Sequence, residues 1–64
     1  MSSYIKEVIN PKTGKKQKAY FIDNYYGSHL YGVGFRKDGK DASFEDINSS
    51  IKDCKFYKEH NIKQ

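Results

Sequence analysis

The stretch "LYGVGFRKDGK", residues 30–40, contains a strand whose two faces differ. Side chains alternate between the two faces of a strand. One face carries the large residues Tyr31, Val33 and Phe35. The other has only Gly32 and Gly34 before Arg36. A glycine inside a strand costs about 0.5–1 kcal/mol and lets another group approach closely. The sequence therefore predicts that something packs closely against this strand on its glycine side.

Three arrangements satisfy that requirement. A helix that crosses the sheet would place Phe44 and Ile47 over Gly32 and Gly34. A helix on the opposite side would leave the glycines open to a partner chain or a ligand. A bulge that curves the strand is the third. A dinucleotide-binding loop is disfavoured, because its glycines stand between a strand and a helix and follow the order G-x-G-x-x-G.

The rest of the chain predicts an antiparallel sheet of three or four strands. The predicted strands are Tyr4–Ile9, Lys16–Asp23, His29–Arg36 and a brief fourth strand at Lys40–Ala42. The connections "NPKTGK", "NYYGS" and "KDGK" are rich in the residues that turns require. In the second of them, Asn24 and Gly27 are the positions suited to unusual backbone angles.

A helix is predicted to begin at "SFEDI", where Ser43 can cap and Asp46 can complete a capping box. The apolar residues that recur at helical spacing are Phe44, Ile47, Ile51 and Cys54. We expect the helix to end between Asp53 and Glu59. In the alternative it ends near Lys52, and "CKFYK" forms a last edge strand. The predicted fold is α+β, a small antiparallel sheet with one C-terminal helix packed on one face.

The 64 residues predict a single domain with frayed ends at about 1–3 and 60–64. Its core is small, and Cys54 is the only cysteine, so no intrachain disulfide can stabilise it. We therefore expect a homodimer. The sequence shows neither a signal peptide nor a membrane-spanning apolar run, which favours a cytoplasmic protein. We expect no metal or other cofactor.

Catalysis has little support in the sequence. His29 lies at a predicted strand start, where a surface histidine is the simpler explanation. Cys54 lies on the predicted apolar helix face, where it would act as a small hydrophobic residue. The aspartates at turns and at the helix start are explained by capping and turn formation. We therefore predict that the protein is not an enzyme.

Binding is better supported, because the formal net charge is +4 and lysines cluster in the predicted turns. A lysine-rich hairpin can lie along a phosphate backbone, and tyrosines in a turn can stack on bases. The predicted binding residues are Lys12, Lys15, Lys16, Lys18, Tyr25, Tyr26, Arg36 and Lys37. The sequence thus predicts a small nucleic-acid-binding accessory protein. The alternative is a compact inhibitor or adaptor, as phages encode, whose tyrosine-rich sheet surface binds an acidic host protein.

Three strands, basic turns and a following helix are similar in outline to the arm-site DNA-binding domains of mobile-element integrases. The similarity covers about Lys16–Tyr57 and concerns topology alone. It implies a sheet that lies in the DNA major groove. A shared outline does not by itself establish function.

Overall fold

The computed structural model describes residues 3–27 and 29–62, and these form one antiparallel sheet with a short helical segment. The four strands follow each other in space as they do in sequence. They are β1 (Ser3–Ile9), β2 (Lys16–Ile22), β3 (Gly32–Arg36) and β4 (Cys54–Lys58). The helical segment joins β3 to β4, and a final 3-10 turn covers Glu59–Asn61. The predicted α+β fold is confirmed.

The helical segment has three parts. A 3-10 turn at Phe44–Asp46 leads into the α-helix α1 (Ile47–Ser50), and a second 3-10 turn covers Ile51–Asp53. Ser43 caps the segment as predicted, because its side chain accepts a hydrogen bond from the Glu45 backbone N–H. None of the residues in these three parts is buried. The segment is held mainly by its two ends.

The last strand is the one that the alternative assignment of "CKFYK" predicted. Cys54 therefore begins β4 and does not extend a helix, because the strand can pair with β3 along its whole length. The brief strand predicted at Lys40–Ala42 is wrong. That segment lies beside β2 without forming a strand: Ala42 N–H donates to the Lys18 carbonyl at 3.0 Å, and the Asp41 side chain accepts from the Lys18 N–H at 3.0 Å. The helical segment precedes the last strand, which differs from the integrase-like outline of strands and then a helix.

The turns follow the predicted chemistry. In the β1–β2 turn, the Asn10 side chain accepts from the Lys12 backbone N–H at 2.9 Å, and Gly14 has a φ of 75°. In the β2–β3 turn, Asn24 and Gly27 adopt positive φ values of 58° and 71°. These two were the positions that the sequence indicated. The turn after β3 closes with a bond from Gly39 N–H to the Arg36 carbonyl.

One face of the sheet, called here the core face, carries the hydrophobic core. Its members come from β1, β2, β3 and the C-terminal segment: Val8, Ala19, Phe21, Val33, Phe35 and Ile62. Tyr31 and Tyr57 pack against them. Near the chain ends, Ser3 belongs to β1 and Ile62 is buried in this core. Residues 1–2 and 63–64 lie outside the described residues.

The opposite face, called here the glycine face, includes Tyr20, Gly32, Gly34 and Phe56. The expectation that Phe44 and Ile47 cover the glycines is wrong. A Cβ on Gly32 would lie 2.5 Å from the Tyr25 ring, and one on Gly34 would lie 2.6 Å from the Phe56 ring. The glycines therefore make room for two aromatic rings.

These two rings stack on each other, with centroids 4.2 Å apart and planes inclined by 10°. Tyr25 comes from the β2–β3 turn and Phe56 from β4, so the stack joins two segments on either side of β3. Gly32 and Gly34, called here the glycine strip, are both buried. The close packing that Gly32 and Gly34 predicted is present, within this chain rather than against a partner. Formation of a homodimer stays a prediction.

Candidate anion-binding groove

Two lysine-bearing turns meet at one end of the sheet. β3 runs antiparallel to β2 with Tyr20 opposite Gly34, so β3 ends beside the start of β2. The β1–β2 turn and the turn after Arg36 therefore share this end, and β4 begins there as well. We call it the lysine end. The lysines that it carries are Lys12, Lys15, Lys16, Lys18, Lys37, Lys40 and Lys55.

A buried pair of amide side chains joins the two turns. Asn10 and Gln17 are 6% and 4% exposed. Asn10 Nδ2 donates to Gln17 Oε1 at 3.0 Å, and Gln17 Nε2 donates to the Lys40 carbonyl at 3.0 Å. Gln17 Nε2 also lies 3.4 Å from the Arg36 carbonyl. Buried amides cost free energy unless they are hydrogen-bonded, so this satisfied network holds the turns in one relative position.

Between these turns lies a groove of about 370 Å³, called here the lysine groove. Phe35 and Tyr57 provide its aromatic part, and Lys12, Lys37 and Lys55 supply its charged side chains. Asn10, Thr13, Arg36 and Gly39 complete the lining. None of these lining residues is acidic. The groove can therefore attract an anion with an apolar portion.

A second groove, of about 480 Å³, lies on the other side of the turn after β3 and has the opposite character. Its lining contains the carboxylates of Asp38, Asp46 and Asp53, and it shares Arg36 and Lys37 with the lysine groove. Arg36 faces these acids, with guanidinium nitrogens 3.0 Å from Asp38 Oδ2 and 3.5 Å from Asp46 Oδ2. The turn thus separates a basic groove from an acidic one.

The electrostatics of this turn follow from its hydrogen bonds. The backbone N–H of Lys40 donates to Asp38 and is the main reason that the pKa of Asp38 lies below its ordinary value. The hydrogen bond to Asp38 raises the pKa of Arg36. Arg36 is therefore paired with acids, and its charge is largely balanced inside the chain. The charge available in the lysine groove comes from its lysines.

The predicted lysines divide into those that line the groove and those that lie outside it. Lys12 and Lys37 line the lysine groove. Lys15 is exposed in the β1–β2 turn. Lys16 and Lys18 are exposed on β2, where strand alternation directs them to the glycine face. All of them lie at the lysine end, so an extended polyanion can contact both sets.

The predicted tyrosines are not part of this site. Tyr25 and Tyr26 occupy the β2–β3 turn, at the opposite end of the sheet, with ring centroids 4.9 Å apart. They remain 46% and 37% exposed. Tyr25 covers Gly32, and the Lys58 ammonium lies 5.7 Å from the Tyr26 ring centre. The structure therefore places these tyrosines and the lysine hairpin at different ends of the sheet.

Asn10, Lys55 and Tyr57 line the groove and Gln17 holds its two turns together, and none of these was among the predicted site residues. Gln17 had a visible signal, because strand alternation places this polar residue on the core face beside Ala19. Asn10 had a weaker one, since an Asn-Pro pair favours turn initiation. Lys55 and Tyr57 were assigned to a helix in the main interpretation. Only their pairing with β3 brings them to the lysine groove.

The described residues offer little for catalysis. Cys54 Sγ donates to the Ser50 carbonyl at 3.0 Å, and burial raises the pKa of this thiol. His29 is exposed, with a φ of 61°. Over residues 3–27 and 29–62 no three His, Cys, Asp or Glu side chains gather as a metal site would require. Within the same ranges, no helix has the length and apolar character to cross a membrane.

Comparisons of the chain with protein-family models, with curated proteins and with solved structures find no match.

Proposed function

We propose that this protein is a non-enzymatic nucleic-acid-binding protein whose lysine groove contacts the phosphate backbone. The observation that carries the proposal is the convergence of Lys12, Lys37 and Lys55 on one groove without an acidic lining residue. These lysines come from separate segments of the chain: the β1–β2 turn, the turn after β3, and β4. Their charges add at one place where a chain of phosphates can bind them together.

The rigidity of the two turns supports the same proposal. Ordering flexible side chains and loops on binding reduces affinity, and a site that is already ordered avoids part of that loss. The buried Asn10–Gln17 pair holds both turns before any ligand arrives. Lysine approaches phosphate as a point charge. Arginine is the usual reader of guanine, and Arg36 is paired with Asp38. We therefore expect binding that is directed to the backbone and is insensitive to sequence.

The alternative proposal, a compact inhibitor or adaptor that binds an acidic host protein, uses the tyrosine surface. Tyr25 and Tyr26 are exposed enough to contact a partner. They lie at the end of the sheet away from the lysine groove, so an acidic partner would have to cover both ends to use both features. A nucleic acid needs only the lysine end. This separation favours the nucleic-acid proposal.

The proposal is tested by titrating labelled single- and double-stranded DNA and RNA with the purified protein at several salt concentrations. Three groove lysines predict a slope of log affinity against log salt of roughly −2 to −3. The mass of the protein in solution, measured in parallel, tests the predicted homodimer. If no binding occurs even at low salt, the nucleic-acid proposal is wrong, and the search turns to a protein target.

Charge reversal locates the binding surface. Lys12→Glu combined with Lys37→Glu should reduce affinity at low salt by at least about tenfold and lower the salt slope. The matched control is the pair Lys58→Glu and Lys6→Glu, which changes the net charge equally but lies outside the groove lining. We expect this control to weaken binding much less. Equal losses in both double variants would show a nonspecific effect of net charge.

A further inference from the structure

We infer that the lysine groove binds one unstacked base of a single strand, in addition to the phosphates beside it. The inference rests on the proposed function and makes it more specific. It arises because the groove is not only basic. Phe35 and Tyr57 line it together with the lysines, and their rings pack edge to face with centroids 5.9 Å apart.

The dimensions suit a single base. A volume of about 370 Å³ lies at the lower end of the range found for small-molecule sites. Phe35 is 1% exposed and belongs to the core, so it forms a fixed floor for the groove. Tyr57 is half-buried at the side of this core, which leaves part of its ring toward the groove. A flat aromatic group can enter such a space and contact Tyr57.

The charges surround this aromatic part. The Lys55 ammonium lies 5.8 Å from the centre of the Tyr57 ring. Lys12 and Lys37 reach the same groove from the two turns. A nucleotide combines a flat base with a neighbouring phosphate. The groove offers the complement of both, because its aromatic surface can stack on the base and its adjacent lysines can bind the phosphate.

A duplex does not meet these requirements. Its bases are paired and stacked inside the helix, and taking one out costs a few kcal/mol. The bases of a single strand are free to turn toward an aromatic side chain. The protein should therefore prefer single strands to duplexes of the same phosphate content.

The groove has little means to select among bases. The Asn10 amide donates to Gln17 and accepts from the Lys12 backbone N–H. Gln17 Nε2 is occupied by the carbonyls of Arg36 and Lys40. These amides are thus committed to the fold, and stacking on an aromatic ring accepts every base. We expect similar affinity for strands of different composition.

The test compares a short oligothymidine with an abasic strand that has the same number of phosphates. Wild-type protein should bind the base-containing strand about tenfold more tightly, and Tyr57→Leu should remove that advantage while leaving affinity for the abasic strand within about twofold. Tyr57→Phe keeps the ring and should behave like wild type. Tyr26→Leu is the matched control at the other end of the sheet and should retain the advantage.

A second measurement does not depend on how well Tyr57→Leu folds. Thymidine monophosphate added to wild-type protein should shift the NMR signals of Tyr57 and Phe35 and leave those of Tyr25 and Tyr26 unchanged. Equal affinity for the base-containing and abasic strands would overturn this inference and leave the phosphate-binding proposal intact. Shifts confined to Tyr25 and Tyr26 would overturn it as well. Absence of salt-dependent binding to either strand would overturn both proposals.

Discussion

The two faces of this sheet are filled in different ways. On the core face, each central strand contributes its own large side chains, such as Phe21 from β2 and Phe35 from β3. On the glycine face, β3 contributes no apolar side chain, and the space above its two glycines is occupied by Tyr25 and Phe56 from its two flanking segments. Both arrangements bury β3 completely except at Arg36.

The difference shows how a chain of this size can cover both sides of a sheet. The helical segment 44–53 is too short and too exposed to cover a whole face. Two aromatic rings lying flat on a glycine strip need far less chain than a helix, and stacked rings contribute about 0.5–1.5 kcal/mol beyond the area they bury. The glycine strip is therefore a substitute for a long packed helix.

The largest expected effect comes from breaking the core face. Phe21 is fully buried, stacks on Tyr4 at 4.8 Å and pairs with Val33 across the sheet. Phe21→Ala should lower the free energy of unfolding by about 3–5 kcal/mol, because it leaves a cavity that the sheet cannot close. In so small a domain this loss approaches the total stability. Urea unfolding followed by circular dichroism measures it, and a loss below 1 kcal/mol would show that the core face can repack.

The next effect comes from filling the glycine strip. Gly32→Ala should destabilise by about 1–3 kcal/mol, since its Cβ would lie 2.6 Å from Tyr25 Cβ, an atom that ring rotation cannot move away. Gly34→Ala should cost less, because its nearest atoms belong to the far end of the Phe56 ring. Equilibrium unfolding of both variants shows which substitution lowers the free energy of unfolding more.

A double-mutant cycle separates the ring contact from the intrinsic effect of alanine. In a Phe56→Ala background the atoms that oppose Gly34 are gone. Gly34→Ala should then be neutral, or should stabilise by about 0.4–1 kcal/mol through the reduced entropy of the unfolded chain. If Gly34→Ala costs the same with and without the Phe56 ring, close packing is not the reason for glycine at this position.

A smaller effect is expected where the glycine face meets the helical segment. Tyr20 is fully buried, and its hydroxyl donates to the Ser43 carbonyl at 2.8 Å and accepts from the Ser43 N–H at 3.1 Å. Tyr20→Phe removes both hydrogen bonds and should cost about 1–2 kcal/mol, since each is usually worth about 1 kcal/mol net. Hydrogen exchange at Ser43 should also quicken. Unchanged exchange and stability would mean that the start of the segment is held by other contacts.

The smallest effect concerns the acid dependence of the turn after β3. Since the folded state lowers the pKa of Asp38, the contribution of this carboxylate to stability is present above its unfolded pKa of about 3.9 and is lost as the pH falls through the folded value. Asp38→Asn keeps an oxygen that can accept from Lys40 N–H but removes the charge. Its difference from wild type in urea unfolding should shrink below about pH 4. A difference that is independent of pH would contradict this explanation.

The contrast between the faces also explains which parts of the structure could be predicted. Alternation along β3 grouped Val33 with Phe35 on one face and the two glycines on the other, without showing which face holds the core, and turn chemistry located Asn24 and Gly27. The partners of Gly32 and Gly34 could not be found in the same way. Phe56 is distant from Gly34 along the chain, and only the assignment of 54–58 to a strand decides where it lies. Tyr25 is close to Gly32 in sequence but stands in a turn, where strand alternation does not indicate the direction of a side chain.

The candidate site was predicted only in part, because some of its residues are indicated by local sequence and others are brought there by strand pairing. Lys12 and Lys37 stand in turns that local chemistry indicates, and both line the lysine groove. Lys55 and Tyr57 join them only through the register of β4 on β3, which no local pattern contains. Tyr25 and Tyr26 were grouped with the lysines by residue type, whereas the antiparallel order of the strands places them at the other end of the sheet.

The stack of Tyr25 on Phe56 also has a consequence for the order of folding. The β1–β2 hairpin closes a short turn, whereas β4 reaches β3 only after the chain passes through residues 37–53, and longer loops lose more entropy on closure. The stack unites residues on either side of that loop, so it forms only when β4 docks. We expect β4 to be the last strand to join during refolding, and the glycine strip to be the last surface to lose its water.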